Sequence, residues 1–238
     1  MSTYVYGIAR AAVAGLPAGL TGIGDPALPV RLVTAADLAA VVSDCPNELR
    51  PKRRDLLAHQ RVLAEVGLHT TVLPMRFGSV SDDDEKVREV LDEHSDRYRD
   101  RLDRLAGRVE YNLKAVHHED AVLHLVLAED AGLRTLAEAN RADGGGSYEQ
   151  RLQFGEKVAA AVREREMRDA RLLREALAPR AEDERPGPDS GGWFLNVSYL
   201  VPESGAGALL EEVERLRRAH PHIDLTIHGP LPVYSFVE

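Results

Sequence analysis

A chain of 238 residues, 44% of them hydrophobic, has apolar material for one large domain or two modest ones. Its 30 Lys and Arg against 39 Asp and Glu leave a net charge of −9, which argues against a nucleic-acid-binding class and fits a soluble cytoplasmic protein. No stretch approaches 18 uncharged apolar residues, so no membrane span is expected, and the opening MSTYVYGIAR lacks the basic and apolar regions of a signal peptide. The single cysteine, Cys45, excludes an intramolecular disulfide and reads as a packed thiol.

In chain order, Thr3 to Arg10 is rich in aromatic and β-branched residues and predicts a strand. Residues 11–29 are dense in Gly and Pro and predict a loop. Val30–Val33 and Leu38–Val42 are short apolar runs that suit adjacent strands. PKRRDLLAHQRVLAEVG predicts a helix with Leu56, Leu57, Leu63 and Val66 on its apolar face and Gly67 as its stop. HTTVLPMRFGSV reads as a strand that Pro74, lacking an N–H, places at a sheet edge or a bend. Residues 81–107 read as one long helix, with Ser81 as N-cap, Asp84 completing a capping box, and an apolar stripe from Val87 to Leu105.

Beyond Gly107, VEYNLKAV predicts a strand, and residues 119–141 two short helices. A second long helix runs from Tyr148 to Pro179, with Tyr148, Leu152, Ala159 and Val162 on one stripe. The polar stretch 180–192 has room for a short edge strand. WFLNVSYLV predicts a strand, residues 203–220 an amphipathic helix, and residues 223–236 a last strand and tail. This order is βαββαβ, a ferredoxin-like plan. The expected fold is therefore α+β with two domains: residues 1–107, a modified α+β sheet with two helices, and residues 108–238, ferredoxin-like.

No catalytic constellation emerges. The run HHED at 117–120 lacks zinc-site spacing, because adjacent histidines on a strand point to opposite faces. The acids at 82–85 suit a helix N-terminus. GGGS at 144–147 lacks the lysine and spacing of a phosphate loop. No catalytic, cofactor or metal residue is assigned, no cofactor is expected, and the chain is read as a non-enzyme.

Four blocks taken together resemble one family: TTVLPMRFGSV (70–80), VEYNLKAV (109–116), WFLNVSYLV (193–201) and IHGPLPVYSF (227–236) are similar to signature segments of the gas vesicle proteins GvpL and GvpF. The YVYGI start and the Gly-Ser-Tyr entry to the long helix match too, and Val233 stands where the family often has a second proline. The resemblance spans the chain in order and does not separate GvpL from GvpF. It implies a cytoplasmic, gas-vesicle-associated accessory protein needed for assembly, with the hydrophobic shell protein GvpA and other accessory Gvp proteins as partners. It also implies two α+β domains and a C-terminal tail that packs back, so that Pro230, Pro232, Tyr234 and Phe236 form an intramolecular clamp. Met75, Arg76 and Phe77, beside the expected sheet edge, are the candidate contact with the shell protein. The alternatives are a minor structural component retained in the shell and a small-molecule-binding ferredoxin-like protein.

Overall fold

The computed structural model describes residues 2–12, 16–142, 144–188 and 192–237. It is a mixed α+β protein whose described residues form two antiparallel sheets and seven α-helices. Its contacts divide it into two compact units, Met1–Tyr111 with Gly229–Glu238, and Asn112–His228.

The first unit is built on β1 (Thr3–Arg10), which pairs antiparallel with β3 (Leu38–Asp44) on one side and with β4 (Val72–Pro74) and β5 (Val80–Ser81) on the other. β2 (Arg31–Ala35) pairs with β3, so the sheet runs β2-β3-β1-β4. Pro74 thus lies in an edge strand, where its missing N–H leaves no ladder bond unmade. Two residues apart on β1, Tyr4 and Tyr6 are fully buried. They form a core with Ile23, Val41, Val62, Leu63, Val66 and Val72. Cys45 packs against that core, and burial pushes its thiol pKa up.

Helix α1 (Arg53–Gly67) buries Asp55, His59, Val62, Leu63 and Val66, and leaves Leu56 and Leu57 exposed. The buried face keeps the expected Leu63 and Val66 but takes Asp55 and His59 in place of Leu56 and Leu57. The cause is polar: Asp55 accepts the Gly24 N–H at 3.1 Å, and His59 is bonded on both ring nitrogens.

The expected long helix is two, α2 (Asp84–Glu93) and α3 (Ser95–Leu105), so the first unit carries three helices where two were expected. The break is at His94, whose backbone (φ −111°, ψ 19°) is not helical. Ser95 and Asp96 follow it, residue types that favour a helix start. The cap of α2 is Asp83, accepting the Lys86 N–H at 2.8 Å, and Ser81 belongs to β5. Asp84 instead takes Arg31 on both oxygens (2.9 and 3.2 Å) and the Thr3 hydroxyl (2.6 Å). The Arg31 guanidinium holds the Asp84 carboxyl below the usual range.

The second unit holds most of a sheet of order β7-β8-β6-β9: β7 (Asp183–Pro186), β8 (Leu195–Pro202), β6 (Arg108–His117) and β9 (Ile223–Leu231). Helices α4 (Glu119–Glu129), α5 (Ala131–Ala142) and α6 (Tyr148–Leu177) connect β6 to β7, and α7 (Ala206–Ala219) connects β8 to β9. Leu209, Val213 and Leu216 of α7 lie four and three apart and are buried, the spacing of one helix face. The Gly-Ser-Tyr entry to α6 is a capping box. Ser147 Oγ accepts the Gln150 N–H at 3.2 Å, and Gln150 Oε1 accepts the Ser147 N–H at 2.6 Å. The expected stripe at the start of α6 is not a core face, since Tyr148 and Leu152 are exposed. Its buried residues are Asp169, Leu173 and Leu177, in the last third.

Candidate partner-binding turn and the tail that backs its unit

After Pro74 the chain continues along β1 without remaining a strand. Met75 N–H donates to the Tyr6 carbonyl at 2.8 Å, and Val5 N–H donates to the Ser79 carbonyl at 2.9 Å. Between these two bonds residues 76–79 bulge out as a tight turn, closed by Ser79 N–H to the Arg76 carbonyl at 3.2 Å. Gly78 takes the third place of that turn with φ +95°, a conformation that favours glycine, and a Cβ there would meet nothing. MRFGS therefore specifies a turn locally, and its Gly is the residue that permits it.

The turn is fastened from beneath. Tyr4 Oη lies 2.8 Å from His59 Nδ1, and His59 Nε2 lies 3.1 Å from the Met75 carbonyl. A carbonyl only accepts, so Nε2 carries the proton and Tyr4 donates to Nδ1. The Gly78 N–H donates to Tyr4 Oη at 3.3 Å. Phe77 sets its ring edge-on to both Tyr4 and His59, with centroids 5.9 Å away in each case. Burial pushes the Tyr4 hydroxyl pKa up and the His59 pKa down, so both groups are held neutral. Of the three candidate residues, Met75 and Phe77 are half-buried and Arg76 is exposed. The turn thus carries one exposed cationic residue between two half-buried apolar side chains, on a backbone hydrogen-bonded to His59 and Tyr4.

Neighbouring parts of the same network fix the loop over this core. Tyr6 Oη accepts the Ile23 N–H at 2.9 Å and sits 3.0 Å from Ser43 Oγ. A Cβ on Gly22 would fall inside the Tyr6 hydroxyl, so glycine is required there by close approach.

The tail residues 229–237 belong to the same unit. Val233 and Phe236 are buried, and a short 3-10 turn, Tyr234–Phe236, shapes the end. Tyr234 packs against the Tyr4–Tyr6 core cluster, and burial, with the Glu110 charge nearby, pushes its hydroxyl to about 12. Glu110, only 3% exposed, receives Ser235 twice: from N–H at 2.9 Å and from Oγ at 2.7 Å. Pro232 is half-buried and Pro230 exposed. Sequence reasoning missed His59, Glu110 and Ser235. Each is a polar residue whose partner lies far along the chain, 55 residues away for His59 with Tyr4 and 125 for Glu110 with Ser235.

In the second unit, His117, Asp169 and His222 are the group among the described residues whose metal-ligating atoms gather within 4.8 Å of one another. Among the described residues no helix is long and apolar enough to cross a membrane.

Comparison with known proteins points one way. The family described as Gas vesicle synthesis protein GvpL/GvpF matches residues 2–238. Gas vesicle protein F of Streptomyces sp. (strain CB03234) is 56% identical over the full length of both chains. Gas vesicle protein L of the same strain is 29% identical, covering 98% of this chain and 91% of its own. The crystal structure of gas vesicle protein GvpF from Microcystis aeruginosa shares the fold, with a TM-score of 0.76 at 22% identity, covering 100% of this chain and 99% of that one. That of GvpF from Anabaena sp. PCC7120 gives 0.79 at 21%, covering 100% and 98%.

Proposed function

Because the chain belongs to the gas vesicle synthesis protein GvpL/GvpF family, we propose that it is an accessory factor of gas vesicle assembly that binds the hydrophobic shell protein GvpA during nucleation. The family match over residues 2–238 carries this reading. The protein works by binding rather than by catalysis, in the cytoplasm and at the forming vesicle, alongside other accessory Gvp proteins. A shell subunit with an apolar face is prone to self-associate in water. A partner with a net charge of −9 and a small apolar docking point would keep it dispersed until it is incorporated.

The docking point in this reading is the turn carrying Met75, Arg76 and Phe77. Its support is geometric: it interrupts an edge of the sheet, it exposes Arg76, and its backbone is fixed by Tyr4 and His59. The tail is read as an intramolecular clamp, with Tyr234 and Phe236 as its anchors and Pro230 and Pro232 limiting the freedom lost on docking. The second sheet, with order β7-β8-β6-β9 and one helical connection on each side of the β7–β8 pair, supports a ferredoxin-like C-terminal domain. The expected boundary near Gly107 is supported by the contact division at Tyr111/Asn112.

The test is capture of GvpA by the full-length protein. Arg76→Ala is expected to leave the melting temperature within about 2 °C of the parent, since exposed substitutions usually change stability by only ~0.5 kcal/mol. Its affinity for GvpA is expected to fall by roughly tenfold, the scale of one interface residue worth about 1.4 kcal/mol. Unchanged affinity in a folded Arg76→Ala protein, with binding lost on substitution in the second unit, would move the docking point away from this turn.

A further inference from the structure

Within the second unit, Asp169 on α6 is buried and gathers three side chains on one oxygen. His117 Nε2, from the end of β6, lies 2.8 Å from Asp169 Oδ2. His222 Nε2, just before β9, lies 3.1 Å from the same atom. Arg165, one turn earlier on α6, donates to it from Nε at 2.8 Å. The side chains of His117, Asp169 and His222 are 4%, 4% and 10% exposed, and Phe194 stacks on His117 with centroids 4.3 Å apart. Burial alone would raise the Asp169 pKa, but the bonds from His117 and Arg165 outweigh it and hold the carboxyl well below the usual range.

The hydrogen-bond inventory does not close. Arg165 Nη2 also lies 3.0 Å from His222 Nε2. A neutral imidazole nitrogen is either a donor or an acceptor. If His222 Nε2 accepts from Arg165, its lone pair faces a carboxylate oxygen at 3.1 Å. If it carries the proton, it meets a guanidinium N–H at 3.0 Å. One of the two contacts is repulsive in either case. The other nitrogen of His117, Nδ1, is buried with no hydrogen-bond partner, so the ring spends its one polar contact on this cluster. Such a conflict is relieved by one cation that a nitrogen and an oxygen lone pair can both face.

We propose that His117, Asp169 and His222 form a three-ligand site for a divalent transition-metal ion of the zinc type, in competition with the Arg165 guanidinium that contacts Asp169 and His222. Two imidazoles and one carboxylate are a donor set that suits zinc and cobalt, with a fourth position left for water. The two imidazole nitrogens lie 2.8 and 3.1 Å from Asp169 Oδ2, near the roughly 3.4 Å between ligand atoms that tetrahedral bonds of about 2.0–2.2 Å imply, and the whole set lies within 4.8 Å. Arg165 has somewhere to go: its Nη1 is already 2.5 Å from Glu129 Oε1, on α4. The ion would tie α6 to the end of β6 and the start of β9, and would stabilise the folded unit by mass action. The HHED run did not suggest this site because the partners of His117 lie 52 and 105 residues away in sequence, at Asp169 and His222.

Titration of the purified, chelator-treated full-length protein with Co2+ tests the site, read by the visible absorption of four- or five-coordinate cobalt. One ion per chain is expected, the band disappearing in His117→Ala and His222→Ala and persisting in His124→Ala, which alters an exposed histidine on α4. Arg165→Met removes the competing cation and is expected to bind cobalt about tenfold tighter, an outcome that a purely structural ion-pair cluster would not give. It also serves if the histidine variants do not fold: Arg165→Met should melt lower than the parent without metal and recover on addition of Zn2+. Absence of a band in both the parent and Arg165→Met overturns the proposal, as does a band that survives His222→Ala or an Arg165→Met protein whose melting Zn2+ leaves unmoved.

Discussion

A chain ending at His228 is expected to melt at least about 10 °C below the full-length protein. The removed residues include Val233 and Phe236, both buried in the first unit. Burying side chains of this size stabilises by roughly 1.5–3 kcal/mol each. Their removal also strips Glu110 of both bonds from Ser235, leaving a carboxylate that is 3% exposed in the intact protein. Hydrogen bonds to a charged group contribute about 1.5–3 kcal/mol. Together these losses reach at least ~5 kcal/mol, the lower end of a whole domain's stability. For a domain of this size 1 kcal/mol corresponds to roughly 2–4 °C. Calorimetry of the two forms measures the effect. Identical melting would show that the tail contributes nothing to its own fold, and would leave it available as a ligand for another protein.

The second large effect is expected at His59. Its ring is 3% exposed and bridges Tyr4 to the Met75 carbonyl. His59→Ala opens a cavity and orphans a buried hydroxyl and a carbonyl, at a cost of about 3–5 kcal/mol. The native ring also carries a pH dependence. Burial lowers the folded pKa of His59 and outweighs the bond to Met75, which raises it. The unfolded chain, with an ordinary value near ~6.5, takes up a proton that the folded protein refuses. The stabilisation is therefore complete above about pH 6.5 and is lost as pH falls from there through the folded pKa. Melting temperatures between pH 8 and 5 should drop more steeply for the parent than for His59→Gln, which cannot titrate. Parallel curves would mean that His59 is not held neutral by its surroundings.

Where the sequence was legible, each element carried its own periodicity. The α7 stripe and the apolar β8 run follow from neighbouring residues alone. The face of α1 did not, because the apolar pattern favours Leu56 and Leu57, whereas the fold buries Asp55 and His59. Those two are inside because distant groups satisfy them: the Gly24 amide, Tyr4 and the Met75 carbonyl. The division between α2 and α3 was hidden by an unbroken apolar stripe, Val87, Leu91, Leu102 and Leu105, that continues across it. At the start of α6 the reverse holds, since Tyr148 and Leu152 show helical spacing with no core to meet. Around the candidate turn the sequence indicates the edge position of Pro74, but the strand expected to continue past it is interrupted by the turn at residues 76–79. Nor does the sequence indicate that Phe77 folds back onto Tyr4 and His59, which depends on elements brought together by the sheet and α1.

The assembly role is tested most directly in cells carrying a gas vesicle gene set from which this chain alone has been removed. Electron microscopy is expected to show no gas vesicles, and re-expression of the parent chain to restore them. An Arg76→Ala, Phe77→Ala chain that accumulates as a folded protein should restore few or none. Normal vesicles in the absence of the chain would contradict a role in assembly.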